Sequence, residues 1–232
     1  MKKTDLNAVK DIAKSFLYME IGETAFSPMV VQHPIFESGI QYSKETGEML
    51  DITSNEDNLE KIRQEYKAQF DMCSNATEVY MLVRRSYHLT FLKFIKRYLS
   101  KEEFCDLLAD AWVNSENPNQ DANVSNALAA KWFKQADKSY LMDENEQKVY
   151  SELPDEFIIY RGVGIGREPR GLSWTRNKDT ANWFAHRFDR DGKTGYVQAA
   201  TIKKSNVLAY FDNEDEIVAY YKDLEHIHIV EE

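Results

Sequence analysis

Hydrophobic positions follow three different rhythms along the 232 residues. Over residues 4–20 they fall at Leu6, Val9, Ile12, Ala13, Phe16 and Leu17. Steps of three and four put these side chains on one face of a helix, with Thr4 or Asp5 placed to cap it. Between Phe26 and Ile52 the period is lost. Met29-Val30-Val31 and Ile35-Phe36 are short apolar runs beside Pro28 and Pro34, and residues 44–48 have turn composition. That texture predicts short strands or an irregular loop. Helical spacing returns over residues 55–150. Leu59, Ile62, Tyr66 and Phe70 form one stripe, and Val79, Leu82, Val83, Leu89, Leu92, Phe94 and Ile95 form another. Ser100-Lys101-Glu102-Glu103 reads as a capping box ahead of Phe104, Leu107, Leu108 and Trp112. After a loop at residues 117–120, Val124, Leu128, Trp132 and Phe133 mark a further helix.

A third rhythm begins at Leu153-Pro154. Phe157-Ile158-Ile159-Tyr160 suits a buried strand, and residues 172–175 suit another. Residues 180–188 are helical, with Ala181, Phe184, Ala185 and Phe188 on one face. Residues 196–202, 207–211, 216–221 and 226–230 read as strands separated by turn chemistry. The expected fold class is α+β: a mainly helical region over 1–150, then a mostly antiparallel β domain over 151–232.

Composition narrows the class. With 12 Phe, 13 Tyr and 4 Trp the chain has apolar area for a core, which excludes wholesale disorder. No apolar window approaches the ~18 residues of a membrane span, and the amino terminus runs into charged amphipathic sequence rather than a signal-peptide core. Cys73 and Cys105 form no CxxC pair, so free thiols in a reducing cytoplasm are expected. The net charge of −10 argues weakly against a general polyanion binder, although local charge matters more than the sum.

Several motifs dissolve on inspection. Gly162-Val163-Gly164-Ile165-Gly166 superficially suggests a dinucleotide-binding turn, but Arg167-Glu168-Pro169 cannot open the long helix that turn requires. No Gly-Lys-Ser/Thr follows; a flexible loop is expected instead. His226 and His228, with Glu225 and Glu231 near, lie two apart on an expected strand and read as a solvated face rather than a metal site, so no metal is expected. Residues 80–101 carry Arg84, Arg85, Lys93, Lys96, Arg97 and Lys101 with no acid, interleaved with Tyr80, Tyr87, Phe91, Phe94 and Tyr98. Such a basic, aromatic helix could follow a phosphate backbone and stack on bases; equally, its rings are core and its cations solvated. If its apolar face is core, Lys93, Lys96 and Arg97 should face solvent, with Arg84 or Arg85 against carboxylates.

One constellation spans the last 80 residues. Arg161 ends the first expected strand, within Tyr160-Arg161-Gly162. Ser173-Trp174-Thr175 places two hydroxyls on the next, after Gly171. Glu214-Asp215-Glu216 opens a late strand, where two residues apart on extended backbone point Glu214 and Glu216 to one side. Taken singly, these residues also suit a structural ion pair between Arg161 and Glu214 or Glu216, with ordinary strand positions at Ser173 and Thr175. Together, in order and strand context, they resemble the mono-ADP-ribosyltransferase fold of the R-S-E class. Its signatures are an Arg on the first core strand, an S-T-S-like strand motif and E-x-E. The whole chain further resembles uncharacterised bacterial and phage proteins with a helical front half and a Tyr-Arg-Gly…Gly-Leu-Ser-Trp-Thr back half.

The resemblance implies NAD as co-substrate, whose glycosidic bond to nicotinamide breaks through an oxocarbenium-like transition state. Arg161 would fork onto phosphate oxygens. The backbone at Gly162 and Gly171 would approach the ligand closely, and Tyr160, Ser173, Trp174 and Thr175 would line the pocket. Ser173 would orient the catalytic Glu, and Thr175 would steady the pocket floor. Glu216 would bind the ribose hydroxyl and stabilise developing positive charge, while Glu214 would act on the acceptor's nucleophile. The expected function is NAD-dependent mono-ADP-ribosyl transfer to a macromolecule inside bacterial cells, in a toxin or phage–host conflict setting. Such a setting implies an antitoxin or inhibitor as partner. The basic stretches favour RNA or DNA over protein as acceptor. Alternatives are a non-enzymatic nucleic-acid-binding protein built on residues 84–101, and an NAD glycohydrolase using the same pocket.

Overall fold

A computed structural model of the chain describes residues 2–25, 27 and 29–230. Phe26 and Pro28 of the expected irregular segment, and Glu231 beside the histidine pair, lie outside them. The chain is α+β. No helix among the described residues is long and apolar enough to cross a membrane.

The chain forms two compact units, Met1–Leu107 with Asn114–Glu116, and Leu108–Val113 with Asn117–Glu232. The first holds helices α1 (Leu6–Phe16), α2 (Glu56–Met72), α3 (Ala76–Met81) and α4 (His88–Ile95), and the start of α5 (Lys101–Val113). Two strand pairs, β1 (Gly22–Glu23) with β2 (Val31–Gln32) and β3 (Ile40–Tyr42) with β4 (Met49–Asp51), occupy the aperiodic segment. Asp5 is the cap of α1, accepting from Ala8 N–H at 3.1 Å. Val9, Ala13 and Phe16 are buried, and Phe16 meets Phe91 edge-on at 5.3 Å.

Residues 80–101 are not one helix. Arg84 takes an extended backbone (ψ 141°) before a 3-10 turn at Arg85–Tyr87, and a second turn at Lys96–Tyr98 ends at the extended Leu99. Tyr80 and Phe91 are core, while Lys93 and Arg97 are exposed and Lys96 lies half-buried over the Phe104 ring. Arg84 is held by backbone rather than by the expected carboxylates; its guanidinium donates to the carbonyls of Val31, His33 and Phe36. Within that loop the His33 imidazole Nδ1 accepts from the amides of Ile35 (3.1 Å) and Phe36 (3.0 Å). Burial and the nearby Arg63 and Arg84 charges lower its pKa to about 4.

The second unit is built on six antiparallel strands in the order β10-β7-β5-β6-β9-β8. These are β5 (Glu156–Val163), β6 (Ser173–Thr175), β7 (Tyr196–Lys203), β8 (Val207–Phe211), β9 (Glu216–Ala219) and β10 (Glu225–Ile229). Helices α6 (Asn126–Gln135), α7 (Lys138–Leu141), α8 (Glu144–Glu152) and α9 (Lys178–His186) belong to this unit, as does the C-terminal part of α5. The division therefore falls earlier than residue 150. The physical reason is that α6 and α8 pack on β8, and Trp112 stacks edge-on against Phe133 (5.2 Å), itself beside Phe211. Those aromatics form one core with the sheet, and β8 and β9 are buried at every residue.

Candidate active site on strands β6 and β9

Helix α9 sets the geometry around β5. A Cβ on Gly162 would lie 2.1 Å from the Ala181 carbonyl oxygen and 2.6 Å from the Ala185 nitrogen. Gly162 thus lets α9 lie directly on the strand, and it belongs to β5 rather than to a flexible loop. Its missing side chain is filled by the helix backbone, not left open for a ligand. Tyr160, two residues back on the same face, joins Ala181, Ala185 and Val197 in the cluster under α9. The Arg161 side chain leaves from the opposite face.

Arg161 is buried, and its guanidinium organises the chain around β6. Nη1 donates to the Ser173 carbonyl at 2.6 Å and Nη2 to the Glu168 carbonyl at 2.8 Å. This is a clamp on the loop over residues 164–172, where the resemblance implied a fork aimed at phosphate. Nε, also buried, has no hydrogen-bond partner. Desolvation lowers the Arg161 pKa to about 10, opposed by the charges of Glu216 and Glu168, so the cation persists at neutral pH. A Cβ on Gly171 would sit 2.2 Å from Arg161 Nη2. Gly171 therefore makes room for the guanidinium.

On β6 the three motif residues serve different ends. Ser173 lies half-buried beside the Glu216 carboxyl, and its hydroxyl accepts from Asn119 Nδ2 at 3.0 Å. Trp174 is buried and its indole donates to the Gly171 carbonyl at 3.1 Å, closing the loop on itself. Thr175 Oγ1 accepts from Asn177 N–H at 3.1 Å, which shapes the exit into α9. Asn177 then caps that helix through Asp179 and Thr180.

Glu216 opens β9 directly opposite Thr175. It is 9% exposed, and its Oε1 accepts from the Trp112 indole Nε1 at 3.0 Å. Burial raises its pKa above the usual carboxylate value; Ser173, Trp112 and Arg161 pull the other way, while Glu214 adds to the rise. Glu214 does not share extended backbone with Glu216. It is exposed, in the β8–β9 turn, where Asp215 adopts φ 49° and forms an ion pair with Arg176 at 2.6 Å. The alternation argument fails there because the strand begins only at Glu216.

Two contributors had no signal in the local motifs. Trp112 and Asn119 lie 104 and 54 residues before the groups they bind. Asn119 spans the site, its Nδ2 on Ser173 and its Oδ1 accepting from Leu172 N–H at 2.6 Å. An amide can satisfy both at once because it carries a donor and an acceptor. The result is a buried carboxylate with Trp112 and Ser173 beside it, near a buried cation held by backbone carbonyls. In a low-dielectric setting such a carboxylate acts strongly on any positive charge that develops beside it. His226 and His228 stand apart, both exposed on β10, with His226 at φ 52°. No protein-family model matches the chain, and neither does a curated protein or a solved structure.

Proposed function

We propose that the second unit binds NAD and transfers its ADP-ribose to a macromolecular acceptor. The observation that carries this reading is the convergence of Arg161, Ser173 and Glu216: the guanidinium holds the Ser173 carbonyl while the Ser173 hydroxyl faces the Glu216 carboxyl. The donor set suits the ligand's chemistry. A buried carboxylate complements a cationic nicotinamide riboside, and the unpartnered Arg161 Nε is a donor for an anionic oxygen. NAD supplies a nicotinamide leaving group whose departure leaves positive charge on the ribose.

Glu216 stabilises that charge, and it does so best as the anion. Trp112 and Ser173 favour the ionised form against the cost of burial. Arg161 keeps the loop over residues 164–172 in place and supplies the balancing cation. Asn119 fixes Ser173. Glu214, exposed at the turn, would act on an acceptor approaching from solvent. The test is incubation with NAD labelled in its adenylate portion, plus cell lysate, followed by separate nuclease and protease digestion. Label bound to macromolecule and released by one of the two supports transfer. Free ADP-ribose with no labelled macromolecule would make the protein a glycohydrolase, and unchanged NAD would refute the reading.

A further inference from the structure

Helix α9 carries an exposed surface that the site does not use. Trp183 and Phe188 are 58% and 51% exposed. The Arg187 guanidinium lies over both rings, at 5.0 and 4.7 Å from their centroids, and Arg167 lies 5.9 Å from that of Phe188. Arg190 and Lys193 continue the patch, both exposed. Among the described residues the ion pairs nearby are Arg170–Glu168, Arg176–Asp215 and His186–Asp189, and none of them involves Arg167, Arg187 or Arg190. Of the nearby acids, Asp189 is turned onto Thr194 Oγ1 and the Gly195 amide, and Glu168 onto Arg170. Asp179, Asp189 and Asp191 are the exposed acids of this segment, against the cations Arg167, Arg187, Arg190 and Lys193.

We infer that this surface binds single-stranded RNA, stacking bases on Trp183 and Phe188 and placing phosphates on Arg167, Arg187, Arg190 and Lys193. Exposed flat rings flanked by guanidinium groups offer two stacking partners and a charge that complements phosphate. A duplex hides its base faces, whereas RNA presents unstacked bases in loops and ends without strand separation. The patch also borders the site: Arg167 sits in the loop whose Glu168 carbonyl is held by Arg161. RNA bound there is consequently placed as the acceptor, a conclusion that rests on the transfer reading, although the binding itself does not.

The test is fluorescence anisotropy with a labelled 12-nucleotide single-stranded RNA and the same RNA annealed to its complement, over a KCl series without NAD. Omitting NAD keeps the outcome independent of whether NAD is cleaved. The full chain should bind the single strand at least ten-fold more tightly than the duplex. Trp183→Ala/Phe188→Ala should weaken single-strand binding by roughly five- to a hundred-fold per ring, with an unchanged far-UV circular dichroism spectrum. Arg167→Gln/Arg187→Gln should flatten the salt dependence by about 0.7 for each phosphate no longer neutralised. Four results would overturn the inference: no binding, equal binding of duplex or heparin, tighter binding of single-stranded DNA, or variants that bind like the parent.

Discussion

Replacing Trp112 by Phe separates what the indole does as packing from what it does as a donor to Glu216. The ring stays aromatic and keeps its edge-on approach to Phe133, but the Nε1–H that reaches Glu216 Oε1 at 3.0 Å is removed along with the pyrrole volume. At a site 1% exposed, the smaller ring should cost about 1–2 kcal/mol in packing. Loss of one hydrogen bond to a buried charged acceptor should add about 1.5–3 kcal/mol. Against a typical total of ~5–15 kcal/mol the protein still folds. The two costs differ in pH dependence. Burial raises the Glu216 pKa in the folded state, so the folded protein holds its proton more tightly than the unfolded chain. The associated stability is full below the unfolded value and is lost as pH rises through the folded one. The donor matters to the anion, so its part of the cost should be largest at pH 8 and shrink towards pH 4.5, while the packing part stays constant. Urea unfolding at both pH values, followed by far-UV circular dichroism, reads the difference. A double-mutant cycle with Glu216→Gln, which keeps a neutral acceptor for the indole, reads only the charged part of the bond and should show a coupling of about 1 kcal/mol at pH 8. A cost independent of pH, with coupling below ~0.5 kcal/mol, would reduce Trp112 to a packing residue.

Arg161→Lys keeps the charge but cannot hold the Ser173 and Glu168 carbonyls together, so limited trypsin digestion should cut sooner after Arg167 and Arg170. Unchanged cleavage would contradict the clamp. Gly162→Ala forces a methyl group against the backbone of α9 and should cost at least ~3 kcal/mol in thermal unfolding. Gly166→Ala, at φ +72° in open space, should cost only ~1–2 kcal/mol, and equal losses would refute the close-approach argument. His33 has a folded pKa of about 4, below its unfolded value of 6.5, so its contribution is present above pH 6.5 and lost as pH falls towards 4. Its worth is on the order of 2 kcal/mol. His33→Asn, whose Oδ1 can accept from the same amides, should flatten the stability profile over that range; an unaltered acid limb in urea titrations would remove His33 from the explanation.

The strands were legible in the sequence because short apolar or β-branched runs end at turn residues, as in β8, an apolar run buried at every position. The expected residues 207–211 match β8, and 172–175 and 226–230 fall within a residue of β6 and β10 at each end. What was not legible came from groups far apart in the chain or from backbone that breaks its own pattern. Nothing near Glu216 points to Trp112, since the indole enters from the end of a helix whose apolar spacing reads simply as core. Glycine at 162 suggested space for a ligand, yet the space belongs to α9. Periodicity through residues 80–101 looked continuous because the extended residues Arg84 and Leu99 leave no mark on the spacing of hydrophobic positions. The Arg161 clamp was hidden for a related reason: its partners are carbonyls, which carry no side-chain identity.

In the proposed reaction the Glu216 carboxylate acts on charge developing in bound NAD, and nicotinamide release under single-turnover conditions reads that action. Glu216→Gln preserves shape and can still accept from Trp112, so NAD affinity by calorimetry should stay within about three-fold of the parent. The rate of release should fall by ~10²–10³, the usual consequence of removing one electrostatic stabiliser. A Gln variant that releases nicotinamide within a few-fold of the parent rate, at equal NAD affinity, would contradict the account.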